Sequence, residues 1–159
     1  MIYIHSPYDD AAFNFAAEEY CLDLFENGTF PENETVAMLW QADNCVLLGS
    51  YQIAAAEIDL TEAARRGVGV GRRPSGGGAI YTGLGTFQYT VIAPYRPGDD
   101  FRDLQQKRLA APRAAALAAL GAPAELRGRN DLMAGERKIS GLAQWMRSGR
   151  LCSHASILY

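Results

Sequence analysis

Arg72-Arg73-Pro74-Ser75-Gly76-Gly77-Gly78-Ala79-Ile80-Tyr81-Thr82-Gly83-Leu84-Gly85 is the stretch whose conformation the remaining residues serve. Three consecutive glycines remove every Cβ from one turn, so backbone N–H groups can converge on an anion and φ can turn positive without steric cost. Arg72 and Arg73 stand just before it with planar guanidinium forks suited to carboxylate or phosphate oxygens; Pro74 stiffens the entry and Ser75 adds a hydroxyl. The competing reading is a flexible turn beside two solvated arginines. The flanks weigh against it: Val68 and Val70 before the loop, and Phe87 to Ile92 after it, have strand character, and a floppy joint between two strands would be costly. The spacing matches neither Gly-x-x-x-x-Gly-Lys-Ser/Thr nor Gly-x-Gly-x-x-Gly, so the residues alone define a binding loop without naming its ligand.

The chain has 159 residues, 48% of them hydrophobic, enough for a single domain (1–159) with a real core. A formal net charge of -3, with no Lys/Arg run longer than two, gives no electrostatic footprint for nucleic acid. The N-terminus opens on a strand-like Met1-Ile2-Tyr3-Ile4 without a basic, then apolar, leader, and no apolar run reaches membrane-spanning length. No membrane partner and a cytoplasmic location are therefore expected. Cys21, Cys45 and Cys152 are odd in number and lack Cys-x-x-Cys spacing, so they read as buried, inert thiols.

Working outward, residues 1–5 read as an edge strand, after which Asp9 or Asp10 caps a helix. Its apolar face is read as Phe13, Ala16, Ala17, Tyr20, Cys21 and Leu24, with Gly28 as its stop. Thr35 to Trp40 and Cys45 to Leu48 read as two strands of a hairpin around Ala42-Asp43-Asn44. Asp59 and Glu62 have the spacing of a capping box opening a short helix that Gly67 ends. Beyond the glycine loop, Phe87, Tyr89 and Val91 alternate with Gln88 and Thr90 as in a half-buried strand. A helical region follows Pro97-Gly98, is broken at Pro112 and closes at Gly121. Ala124 to Arg127 is then a strand, Ala134-Gly135-Glu136 the turn of a hairpin, and Ser148-Gly149 a second turn leading to a last strand. The chain stops within apolar strand residues, which predicts that it is cut short at its C-terminus.

Three stretches taken together resemble the lipoate-protein ligase A family, within the biotin/lipoate ligase superfamily. They are Arg72 to Tyr81, Gly128-Arg129-Asn130-Asp131-Leu132, and Lys138-Ile139-Ser140-Gly141-Leu142-Ala143-Gln144. The helix at Asn14 to Tyr20 and the strand Leu39-Trp40-Gln41 extend the likeness over nearly the whole chain. The resemblance implies an α+β fold: a mixed, largely antiparallel β-sheet flanked by helices, the N-terminal portion of a catalytic domain, incomplete at its C-terminus. It implies that ATP activates lipoate as lipoyl-AMP, with Mg2+, and that the lipoyl group passes to a lysine of a carrier protein. The carriers implied are lipoyl domains of 2-oxoacid dehydrogenase complexes or the glycine-cleavage H-type protein, with lipoate or octanoate as the small acid.

The same likeness implies Lys138 as the catalytic group, an ammonium able to follow oxygens through both half-reactions; a solvated surface lysine is the bland alternative. Binding residues are implied at Arg72, Arg73, Ser75, Gly76, Gly77, Gly78, Ala79, Asn130, Asp131, Lys138, Ser140, Gly141 and His154, with Asp131 also a candidate metal ligand. Asn130-Asp131 reads equally as an Asx turn, and His154 equally as a structural histidine. Trp40, Tyr81 and Phe87 are candidates to receive the acyl tail, although core packing is the commoner fate of an aromatic residue.

The chain departs from the family where Thr82-Gly83-Leu84-Gly85-Thr86 replaces a His-Asp-Leu-Gly-Asn pattern. The alternatives are an octanoyltransferase of the same fold and a non-catalytic fragment binding lipoate or nucleotide. A cysteine nucleophile for the first is missing from residues 129–132, leaving only a displaced Cys152/His154 pair on one strand face.

Overall fold

A computed structural model describes residues 1–128 and 130–158, without the side chains of Arg102 and Gln106. The implied α+β architecture is observed. Strands β1 (Ile2–His5), β2 (Val36–Trp40), β6 (Thr86–Pro94), β7 (Glu125–Arg127), β8 (Asp131–Ala134), β9 (Arg137–Arg147) and β10 (Arg150–Leu158) form one sheet in the order β1-β2-β6-β10-β9-β8-β7. Only β1 and β2 run parallel among these pairs. A second sheet has the order β4-β3-β5, from β3 (Cys45–Leu48), β4 (Gly69–Arg72) and β5 (Ile80–Thr82). The expected hairpin of the second and third strands is thus corrected. β2 and β3 enter different sheets because β2 pairs with β1 and β6, while β3 pairs with the two strands flanking the glycine loop.

Helix α1 (Ala11–Glu26) starts where expected, with Asp10 accepting the Phe13 N–H at 2.6 Å, and is followed by Gly28 at φ 78°. Its buried face differs from the expected one. Ala11, Asn14, Phe15, Glu18, Cys21, Leu22 and Phe25 face inward, whereas Phe13 and Tyr20 are 47% and 61% exposed. Two polar residues occupy the stripe because each has partners beneath it. Asn14 donates to the carbonyls of Tyr8, Asp10 and Gln41, tying the β1–α1 connection to the end of β2.

Helices α2 (Ala54–Glu57) and α3 (Leu60–Arg65) lead into β4. Asp59 accepts the Glu62 N–H at 2.9 Å, as the capping spacing predicts, and Gly67 follows at φ 64°. The break expected at Pro112 is a change of helix type: α4 (Phe101–Asp103) and a π-helical run (Leu104–Ala110) join α5 (Ala111–Ala119), where proline sits in the first turn. This helical layer covers the sheet through Leu104 and Leu109 against Val91, Ala93 and Leu151. α1 covers the opposite face through Cys21, Leu22 and Phe25 against Val36, Ile92 and Cys152. Being covered on both sides, β6 buries Gln88 and Thr90 together with Val91, Ile92 and Ala93, while Phe87 and Tyr89 are half-buried, so the alternation expected there is also corrected.

Arg113, 5% exposed, spends its Nε–H on the Leu109 carbonyl and leaves both terminal nitrogens without partners. Burial lowers its pKa to about 10. Because the folded pKa lies below the unfolded one, the unfolded chain binds more protons above about pH 10; stability rises as pH climbs from there and carries the full cost below it. Arg113→Met is therefore expected to raise unfolding free energy at pH 7 by about 1–3 kcal/mol, measured by urea denaturation.

Candidate active site

The glycine loop is built from inside. Arg73 is 5% exposed, and its guanidinium donates to the carbonyls of Leu47 (2.8 Å), Gly76 (3.0 Å) and Gly78 (2.6 Å). Burial lowers its pKa. Among the described residues every peptide is trans, so turning the Gly76 and Gly78 carbonyls onto Arg73 aims the N–H groups of Gly77 and Ala79 the opposite way. Arg73 is thus the former around which the loop is moulded. Gly77 takes φ 99°, and a Cβ there would stand 2.9 Å from an Arg73 nitrogen. Arg73→Lys, which loses the fork, is expected to speed amide hydrogen exchange at residues 76–79 by about tenfold or more. Arg72 is turned elsewhere, donating to the carbonyls of Gly49, Ser50 and Gln52, outside the cleft.

Across from the loop, β8 and β9 carry a bulge. Leu132 pairs with Ser140 and Met133 with Lys138, leaving Ile139 unmatched. Without that extra residue, Lys138 and Gly141 would point to opposite faces of the strand; with it they share one. The Lys138 chain lies over Gly141, where a Cβ would be 3.3 Å from Nζ, and the ammonium meets the Asp131 carboxylate at 2.8 Å. Gly141→Ala is expected to push this ammonium aside and lower turnover about threefold to tenfold in a steady-state assay, with little change in stability.

Between these walls lies a cleft of about 370 Å³, within the range of small-ligand pockets. Of the expected site residues, Arg73, Gly77, Gly78, Ala79, Asn130, Lys138, Gly141 and His154 line it; Arg72, Ser75, Gly76, Asp131 and Ser140 do not. Asn130 is bound to β9 through its amide on the Leu142 carbonyl at 2.6 Å, and Arg129 lies outside the described residues. The apolar lining includes Trp40 and Tyr81 as expected, together with Phe15, Leu47 and Leu142, which the sequence did not single out. Phe87 instead lines a separate depression with Tyr8 and Leu39.

His154 reaches the cleft from β10, opposite Thr90 of β6. Its Nε2 lies 2.6 Å from Ser75 Oγ and its Nδ1 lies 3.1 Å from Glu18 Oε2. Thr90 donates to Glu18 Oε1 at 2.5 Å and accepts the Trp40 indole N–H at 2.9 Å. Glu18, Thr90 and Ser75 are fully buried. Burial, then the Glu18 carboxylate, raises the Cys152 thiol well above its ordinary value, and the same two causes put Cys21 at about 11. Both imidazole nitrogens are engaged by Ser75 and Glu18, so His154 is not paired with Cys152, and all three cysteines are buried as expected.

Asp131 offers one carboxylate, already paired with Lys138, and among the described residues no group of three or more His, Cys, Asp or Glu stands together. No dedicated cage is present among the described residues. Among the described residues no helix is long and apolar enough to cross a membrane.

Comparison with known proteins gives a consistent result. Residues 10–159 match the model of the lipoyl protein ligase A/B catalytic domain. The lipoate-protein ligase LplJ of Bacillus subtilis is 35% identical over 151 residues, covering 95% of this chain and 43% of that protein. A structure of the Thermoplasma acidophilum protein Ta0514 with bound lipoic acid superposes with a TM-score of 0.79 at 27% identity, over 99% of this chain and 66% of that one. The bi-partite ligase of that organism, described with its E2 lipoyl domain, gives 0.79 at 26%, over 99% and 60%. A lipoate-protein ligase A bound with ATP gives 0.79 at 26%, over 99% and 67%. The chain therefore spans less than half the length of the Bacillus protein.

Proposed function

We propose a function from one premise: the chain belongs to the lipoyl protein ligase A/B catalytic domain family. It acts as a lipoate-protein ligase, joining lipoate to ATP as lipoyl-AMP with release of pyrophosphate, then passing the acyl group to a carrier lysine. The observation that carries this reading is the meeting of the glycine loop and Lys138 on one cleft with an apolar wall between Phe15, Trp40 and Leu47. An apolar acid fits along that wall, and its carboxylate is met by the outward N–H groups of Gly77 and Ala79.

Both half-reactions require charge to be stabilised where it develops. In the first, a lipoate carboxylate oxygen attacks the α-phosphorus and the bond to pyrophosphate breaks. In the second, the carrier lysine amine attacks the acyl carbonyl, AMP leaves and the amine gives up a proton. Lys138, 52% exposed on its side chain and held only by Asp131, can follow the shifting negative charge through both steps. Arg73 shapes the loop, while Asn130 pins the start of β8 to β9. Any magnesium would be held by the ATP phosphates, since Asp131 is paired with Lys138 and lies outside the cleft lining. The carriers are lipoyl domains of 2-oxoacid dehydrogenases or the glycine-cleavage H-type protein.

The test is a mass measurement on a lipoyl domain incubated with the chain. The reading expects a lipoyl adduct on one lysine that depends on both lipoate and ATP. Acylation from an octanoyl carrier without ATP would replace it with an octanoyltransferase; lipoate binding without either transfer would leave a binding fragment.

A further inference from the structure

Glu18 is fully buried beneath the cleft and touches no part of its lining except through His154 and, by way of Thr90, Trp40. Cys152 Sγ also lies 4.0 Å from Glu18 Oε2 as a weak donor, and the stronger hydrogen bonds around the carboxylate have directions set by their partners. The Trp40 indole nitrogen can only donate, so Thr90 Oγ accepts from it and sends its own hydrogen to Glu18 Oε1. A carboxylate only accepts, so His154 must present Nδ1–H to Glu18 Oε2. A neutral imidazole with its hydrogen on Nδ1 has a lone pair on Nε2, and Ser75 therefore donates its hydroxyl hydrogen to that nitrogen at 2.6 Å. For a Glu18 carboxylate and a neutral imidazole this places every hydrogen in the chain Trp40–Thr90–Glu18–His154–Ser75, whereas an imidazolium would instead donate Nε2–H to Ser75.

The connectivity of Ser75, His154 and Glu18 is that of a hydrolase triad, but Ser75 is fully buried and its hydroxyl lies outside the cleft lining, so it cannot meet a substrate carbonyl. Its position in the loop gives the arrangement another meaning. Ser75 precedes the glycine triplet, and its carbonyl accepts the Ser50 N–H at 2.9 Å, so the hydroxyl and the carbonyl together hold the residue from two sides. Arg73 grips the glycine triplet itself. We propose that Glu18 is a positioning residue: it locks His154 in the Nδ1–H tautomer, so that the Nε2 lone pair holds the Ser75 hydroxyl and fixes the start of the glycine loop. The signal on one helix of the first sheet's cover is thus passed across the core to the loop that meets the ligand.

The sharpest test exchanges one oxygen of the carboxylate for a donor. In Glu18→Gln an amide nitrogen facing Thr90 would strand that hydroxyl's hydrogen in the core, because Thr90 already accepts from Trp40; the expected arrangement keeps the amide oxygen on Thr90 and turns the nitrogen to His154, whose proton must then move to Nε2. Long-range 1H–15N correlation reads the tautomer directly. The chain has two histidines, His5 and His154, so a His5→Gln background assigns the signals. Wild type is expected to carry the proton on Nδ1, Ser75→Ala to keep it there, and Glu18→Gln to move it to Nε2. Lipoate binding by calorimetry supplies the second readout. Ser75→Ala and Glu18→Gln are each expected to weaken it about tenfold, and the double variant no further than the worse single one, since both break one connection.

A wild-type proton on Nε2, a tautomer unchanged by Glu18→Gln or altered by Ser75→Ala, or losses that simply add would overturn the proposal. The wild-type and Ser75→Ala spectra decide it even if Glu18→Gln does not fold. The binding readout rests on the lipoate-ligase reading. The tautomer does not, so a chain that binds no lipoate yet shows these tautomers contradicts only the assigned ligand.

Discussion

Gly49→Ala is expected to weaken lipoate binding on the order of a hundredfold or more. A Cβ at this position would lie 2.1 Å from the Gly77 carbonyl oxygen, 3.1 Å from its carbon and 3.2 Å from the Gly76 carbonyl carbon. Those are backbone atoms, so no side-chain rotation relieves the contact. The glycine loop must move, and it cannot do so without breaking the grip of Arg73 on Gly76 and Gly78 or the hold of His154 on Ser75. Gly85→Ala serves as the control, because a Cβ there meets nothing within 4 Å and the residue lies outside the cleft lining. Calorimetry with lipoate checks the pair of variants. Equal affinities for the two would show that the loop is not held in the conformation described.

The second large effect is expected at Lys138. Two basic side chains line the cleft among the described residues, and the guanidinium of Arg73 is committed to three backbone carbonyls. Lys138 alone of the pair has a single, partly exposed partner in Asp131 and a flexible stem resting on Gly141. Lys138→Ala should therefore lower the adenylation rate by about 10²–10³-fold, as loss of one group stabilising developing charge does. Lipoate affinity should change by less than about threefold, because the apolar wall is untouched. A parallel loss of rate and affinity would instead assign Lys138 to ground-state binding of the acid.

Much of this was legible in the sequence because it depends on local chemistry. Asp10 and Asp59 cap helices because their carboxylates reach an N–H three residues on. Gly135 and the Ser148-Gly149 pair take positive φ at the turns they mark. What escaped depends on partners distant in the chain. Glu18 looks like a solvent-facing helical residue until Thr90 and His154, 72 and 136 positions away, are brought beneath it. That is also why the buried stripe of α1 was misread: periodicity counts apolar residues, and Asn14 and Glu18 are buried for their hydrogen bonds. Gly49 carries no local signal, since its constraint is the backbone of another loop. Arg73 was recognised as part of the site for its capacity to bind anions, yet its fork is filled by the chain's own carbonyls. The pairing of β2 with β6 in place of β3 was hidden for the same reason, because short strands separated by a turn carry no mark of the sheet each will join.

Lipoate-dependent exchange of labelled pyrophosphate into ATP tests the central claim most directly, since it reports the joining of acid and nucleotide without any carrier. Exchange is expected from the unaltered chain only when lipoate is present, and is expected to be lost in Lys138→Ala while that variant still binds lipoate. Exchange at the unaltered rate in Lys138→Ala would show that the cleft between the glycine loop and β9 is not where the two substrates are joined.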